Sequence, residues 1–110
     1  MLIAGGSGIV PMLSLIAAHP HQKITLYYTA HTEQELIYAD ELRQLATTRP
    51  ELTVHLQAGR FDVTQTVSTF TVPNTTYLLS GPRLLGHTWR QALHAHGVSP
   101  NKVYYEAFNW

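Results

Sequence analysis

The stretch LIAGGSGIVPMLSLI, residues 2 to 16, passes from a short apolar segment through Gly5, Gly6 and Gly8 into a second apolar segment carrying Pro11. Leu2 to Ala4 reads as a buried strand. Pro11 is placed to be the first residue of a helix running to about Ala18, where its missing N–H leaves no hydrogen bond unmade. The glycines between let the backbone come close to a ligand, and exposed N–H groups at the start of a helix attract an anion. The pattern is not the G-x-G-x-x-G of dinucleotide-binding folds, because Pro11 takes the place of the third glycine. His31, not an acidic residue, follows the second strand. Alone, such a turn is equally compatible with a tight connection that binds nothing.

Working outward, strand-like and helix-like segments alternate to the end of the chain, the pattern of a parallel sheet covered on both faces by helices. The second strand, ITLYYTA at 24–30, is apolar almost throughout, as a central strand should be. Thr32 and Glu35 have the spacing of a capping box for a second helix whose Tyr38, Leu42, Leu45 and Ala46 share a face. The third strand, LTVHLQ at 52–57, alternates apolar with polar and so belongs at an edge. Asp62 is placed to cap a short helix with Val63, Val67 and Phe70 on one side, before Pro73 and Asn74 turn the chain. A central fourth strand follows at 76–80. Gly81-Pro82 opens a fourth helix with Leu85, Trp89, Ala92, Leu93 and His96 on one side, and Gly97 ends it as the C′ residue. The fifth strand, KVYYEAF at 102–108, alternates. Right-handed crossovers with the third and fifth strands at the edges predict a three-layer, doubly wound α/β fold with a five-stranded parallel sheet in the order 3-2-1-4-5.

The composition fits one packed domain of 110 residues, with 45% hydrophobic content and a net charge of +0. No general electrostatic field is available for nucleic acid or an anionic membrane, so an anion must be met locally. The absence of cysteine excludes disulfides, thiolate catalysis and cysteine metal sites, and leaves a cytoplasmic setting as the expectation. Leu2 to Ala18 has no basic flank and is broken by its glycines and proline, so neither a signal peptide nor a membrane span is expected. Seven histidines are present, but His19 with His21 and His94 with His96 lie two apart, without carboxylates at metal-binding spacing; no metal site is expected.

The predicted strand order puts its switch point between the first and fourth strands, where Gly5 to Gly8 and Ser80 to Pro82 should meet at a ligand crevice. Four segments in register there resemble the ferredoxin-NADP reductase superfamily. LIAGGSGIVPMLSLI is similar to its pyrophosphate-binding segment, and YYTAHTEQELIYADEL at 27–42 to its second strand and helix. YLLSGPRLL at 77–85 is similar to the Cys-Gly-Pro segment beside the nicotinamide, and YYEAF at 104–108 to its Glu-x-aromatic ending.

The resemblance implies that residues 1–110 form a nicotinamide-dinucleotide-binding domain, taking NAD or NADP, whose hydride passes to FAD on a separate flavin-binding domain or protein. Gly5, Gly6, Ser7, Gly8 and Pro11 would surround the pyrophosphate, with His31 and Arg60 nearest the adenosine ribose and Gly81 and Pro82 beside the nicotinamide. Ser80, Glu106 and Phe108 would be the catalytic positions: the usual cysteine place, the carboxylate near the reacting carbon and the aromatic screening the flavin. Their work is to position the ring, since the redox chemistry belongs to the cofactors.

The sequence departs from the family pattern at Ser80 and at His31, where many relatives carry arginine. AGRFD at 58–62 lacks the Ser-Arg pair associated with the NADP 2′-phosphate, which leans the expectation to NADH. No Arg-x-Tyr-Ser/Thr flavin motif occurs, so the flavin half is expected elsewhere, and the face toward it, including Trp110, should be partly apolar and open to self-association as a homodimer. A non-catalytic dinucleotide-sensing module is the alternative, favoured by Ser80 and the missing flavin half. A methyltransferase-like domain is a third reading, opposed by Ser80-Gly81-Pro82 and Glu106.

Overall fold

The computed structural model describes residues 1–70 and 74–107. Its strands are β1 (Leu2–Gly5), β2 (Ile24–Ala30), β3 (Leu52–Ala58), β4 (Tyr77–Gly81) and β5 (Val103–Ala107). All pair in parallel, in the predicted order β3-β2-β1-β4-β5. Between them run α1 (Ile9–Ala18), α2 (Ala39–Thr48), α3 (Val63–Val67) and α4 (Arg83–Ala95).

Because successive strand residues face opposite ways, β1 and β2 feed two separate cores. Leu2, Ala4, Leu26 and Tyr28 pack with Ile9, Met12 and Ile16 of α1 and Leu42 of α2. Ile3, Tyr27, Tyr77 and Leu79 pack on the opposite face with Val67 of α3 and Trp89 and Leu93 of α4. The second core is aromatic: the Phe70 and Trp89 rings stack with centroids 6.3 Å apart, and Tyr27 lies 5.6 Å from Phe70. Leu79 and Leu93 are 1% and 0% exposed, so truncating either to alanine should cost about 2–5 kcal/mol.

Local chemistry accounts for the ends of the elements. The Asp62 carboxylate accepts from the Gln65 N–H at 3.1 Å, as its cap position predicts. Gly97, at φ 95°, closes α4 as the predicted C′ residue: its N–H donates to the His94 carbonyl at 3.0 Å, and the Val98 N–H to that of Leu93 at 2.9 Å. The C-terminus of α1 is finished from outside, where the Arg49 guanidinium donates to the carbonyls of Ile16 (2.8 Å) and His19 (2.9 Å).

Some expectations are corrected. Pro11 is the third residue of α1, not the first, because a 3-10 turn at Gly6–Gly8 leads directly into a helix starting at Ile9. Its missing N–H still falls in the first turn, where no helical acceptor exists. Thr32 and Glu35 do not cap α2. They close a 3-10 turn at Glu33–Glu35, after which Leu36, buried and non-helical at φ −79° and ψ 61°, leads the chain inward. Helix α2 starts only at Ala39, without a side-chain cap. The fifth strand begins at Val103 because Lys102 ends a 3-10 turn. Pro73, Phe108 and Trp110 lie outside the described residues.

Candidate functional site

The register of β1 against β4 sets Ala4 beside Ser80, so the two glycine-bearing turns leave the sheet side by side. Their backbones meet closely. A Cβ on Gly81, whose φ is 156°, would lie 3.2 Å from both N and O of Gly5. One on Gly8 would lie 2.5 Å from the Ser80 carbonyl carbon and 2.9 Å from the Gly81 nitrogen. Gly8 is therefore required by the fit between the first turn and β4. Gly6 is different: at φ 57° it holds a left-handed conformation that a side chain disfavours.

A cavity of about 420 Å³ opens beside these turns. Gly5, Gly6 and Pro82, at the switch point, line it together with His31 and Arg60. Phe61, Leu84, Leu85 and Trp89 supply apolar walls, while Thr29, Gly59, Thr64 and Thr88 add small and polar groups. The β3 end of the cavity is tied together by the Gly59 N–H, which donates to the Ala30 carbonyl at 2.7 Å, and by the Thr29 hydroxyl, which donates to the Gly59 carbonyl. The volume lies within the range of about 300–1,000 Å³ usual for small-molecule sites.

The remaining candidates fall outside this cavity. Ser7 is exposed and Pro11 half-buried in the first turn of α1, while Gly8 and Gly81 are buried between the turns. Ser80 is 1% exposed, and its Oγ has no hydrogen-bond partner among the described residues. Glu106 is its register partner on β5 and is exposed. Alternation puts both on the α1 face, since Leu79 and Tyr105, the register pair one residue earlier, pack into the aromatic core. The residues singled out from the sequence thus fall into two groups: those lining the cavity beside α3 and α4, and Ser80 with Glu106 on the α1 face.

Sequence reasoning missed two contributors. Tyr105 packs its ring on Gly86, where a Cβ would come within 2.5 Å of it, and its hydroxyl donates to the Gly81 carbonyl at 3.0 Å. It locks β5 to the second turn; its place one residue before Glu106 was the available signal. Glu35 lines the cavity beside His31, brought there by the 3-10 turn that replaced the expected start of α2. The Tyr28 hydroxyl donates to its backbone carbonyl at 3.4 Å, and burial pushes that phenol above its ordinary range, so it keeps its proton.

A parallel doubly wound sheet with a glycine-walled cavity at its switch point defines a nucleotide-binding domain. Residues 2–82 match the family model of the oxidoreductase NAD-binding domain, and the chain belongs to that family. It is 27% identical to the ferredoxin–NAD(P)+ reductase component of the naphthalene 1,2-dioxygenase system of Pseudomonas putida, over 98% of this chain and 38% of the relative. It is 31% identical to the ferredoxin reductase component of the 3-ketosteroid-9-alpha-monooxygenase of Rhodococcus rhodochrous, over 99% and 34%. The chain spans about a third of the length of these curated relatives. Among solved structures, it is similar in fold to the FAD/NAD-binding domain of nitric oxide dioxygenase from Vibrio cholerae, with TM-score 0.80, 23% identity and coverage of 97% of this chain and 49% of that one. It is also similar to the Amycolatopsis cytochrome P450 reductase GcoB, with TM-score 0.79, 21% identity and coverage of 97% and 36%. The family read from four sequence motifs is thereby confirmed.

Proposed function

We propose that this chain binds NAD(P)H at the switch point and presents it for hydride transfer to a flavin held on another domain or chain. The observation that carries the reading is the cavity of about 420 Å³ at the switch point, lined by Gly5 and Gly6 and by apolar side chains including Phe61, Leu84 and Trp89. In this reading the adenosine end lies between Phe61, Leu84 and Trp89. The pyrophosphate meets backbone N–H groups of the turn from Gly6 to Gly8, helped by the dipole of α1. Ser80, Gly81 and Glu106 would hold the nicotinamide end, which would supply the two-electron chemistry when bound. Ser80 and Glu106 orient it there, and Tyr105 holds the Gly81 backbone in place.

The partner surface in this reading is the α1 face at the carboxyl ends of the strands. Val10, 52% exposed at the start of α1, adds apolar area on that side. The same side offers a route to a homodimer, which sedimentation would detect, and the cytoplasmic setting is part of the proposal, checked by fractionation. No helix among the described residues is long and apolar enough to cross a membrane.

The test is calorimetric titration of the chain with NADH, NADPH and S-adenosylmethionine, followed by NADH-oxidation assays with and without an added flavin-binding domain. The expected result is dinucleotide binding, no oxidation by the colourless chain alone, and diaphorase activity once the flavin domain is supplied. Co-purifying flavin or activity without a partner refutes the half-enzyme reading. Dinucleotide binding that never supports activity favours a sensing module, for which the buried Ser80 at the cysteine position is the motivating feature.

A further inference from the structure

We infer that the chain pairs with a second copy of itself through the free edge of β5, the two strands running antiparallel about Tyr104. Among the described residues β5 is bonded to β4 alone, so one edge of Val103–Ala107 has no strand beside it. Register sets Tyr104 beside Leu78, which packs against the first core, while Val103 and Tyr105 pack on the opposite face with the aromatic core. Tyr104 is 58% exposed, and neither its ring nor its hydroxyl has a partner among the described residues.

Charges on a sheet edge usually deter a second strand. Here they have opposite signs and stand at equal distance from Tyr104: Lys102, at the end of the 3-10 turn that leads into β5, is two residues before it, and Glu106 is two residues after. Antiparallel pairing with the two-fold axis at Tyr104 therefore sets Lys102 of each copy opposite Glu106 of the other. One contact makes two ion pairs. Both residues are exposed, and neither forms an ion pair with a described residue. The same register sets Tyr104 opposite Tyr104 and Val103 opposite Tyr105. Opposite-charge, aromatic–aromatic and aromatic–β-branched pairs are the cross-strand combinations that stabilise a sheet. The even offsets keep every residue on the face of the one it meets, so the two sheets continue as one of ten strands, five from each copy.

The opposite edge has no such symmetry. From Leu52 to Ala58, β3 carries no carboxylate, lysine or arginine, so no charge fixes a register for self-pairing there. A net charge of +0 adds no general repulsion between copies. The contact takes up Glu106 in the chain without a bound dinucleotide. It rests on the strand edge alone and is independent of what the cavity binds.

The experiment is sedimentation equilibrium of the full chain without nucleotide, over about a hundredfold range of concentration, with circular dichroism to confirm that each variant folds. The wild type should rise from 12.3 kDa toward twice that mass. Lys102→Glu and Glu106→Lys should each weaken the dimer by about tenfold or more, because the two-fold axis turns one substitution into two like-charge pairs. Carrying both should restore it to within about threefold of the wild type. Since the chain has no cysteine, Tyr104→Cys reads the register directly. Residues facing each other across an antiparallel pair lie about 4.5–5.5 Å apart at Cα, within disulfide reach, so mild oxidation should cross-link two copies. His55→Cys, on the β3 edge, should not cross-link. A wild type that stays monomeric, charge reversals that do not weaken the dimer or are not rescued by the double exchange, or cross-linking through His55→Cys instead of Tyr104→Cys would overturn the inference. A dimer that is lost in Val10→Glu but indifferent to the charge reversals would overturn it too, and would assign the contact to the α1 face.

Discussion

Replacing Gly8 with alanine isolates the contact that brings the two turns together. The added Cβ would sit 2.5 Å from the carbonyl carbon of Ser80 and 2.9 Å from the Gly81 nitrogen, and closer still to the Ser80 oxygen. Carbon contacts are comfortable at about 3.5–4.0 Å, so the overlap is about 1 Å. Every atom met is backbone of β4 or its exit, so no rotamer change relieves it; the turn at Gly6–Gly8 must lift away from β4. Overpacking of this kind costs about 1–3 kcal/mol and more where the surroundings cannot yield; here the upper end is expected. For a domain of about 100 residues each kcal/mol lowers Tm by about 4–8 °C, so the fall should be about 10–20 °C by circular dichroism. A glycine needed only to admit a ligand phosphate would behave otherwise, weakening binding and sparing the fold. If Gly8→Ala melts within about 2 °C of the wild type, the close-packing argument is wrong.

Gly6→Ala should show the complementary pattern: a left-handed backbone at φ 57° costs an alanine about 1–2 kcal/mol, with NADH affinity falling about tenfold or more because the residue lines the cavity. Tyr105→Phe keeps the ring on Gly86 but removes the hydrogen bond to Gly81, so urea denaturation should show a loss of about 0.5–1.5 kcal/mol; no change would mean the bond contributes nothing to the second turn. Ser80→Ala should leave stability unchanged or raise it by about 1 kcal/mol, since the Oγ has no partner among the described residues; a clear loss would show that the hydroxyl is satisfied after all. Arg49→Met should cost about 1–3 kcal/mol by uncapping α1, which a native-state hydrogen-exchange measurement would locate at residues 16–19.

Much of this protein was legible in local pattern. The apolar runs of β2 and β4 and the alternation of β3 and β5 ordered the sheet, because burial on one or both faces dictates which positions tolerate polar groups. Asp62 and Gly97 were found as caps because a cap is a contact within a few residues. The glycine-bearing turns followed from the same short-range reading, and the family from the motifs they belong to.

What the tertiary structure alone decided are the contacts between segments far apart in the chain. Gly8 faces Ser80, Gly86 faces Tyr105, and Arg49 closes α1 from across the first core. None of these pairings has a periodicity to betray it. Glu35 is the clearest case. Its spacing from Thr32 satisfied a helix-capping rule, yet the burial of Leu36 against the first core overrode that preference and turned the carboxylate into the cavity wall. Local spacing determined which groups were available. Long-range packing, worth more than any single cap, determined where they point.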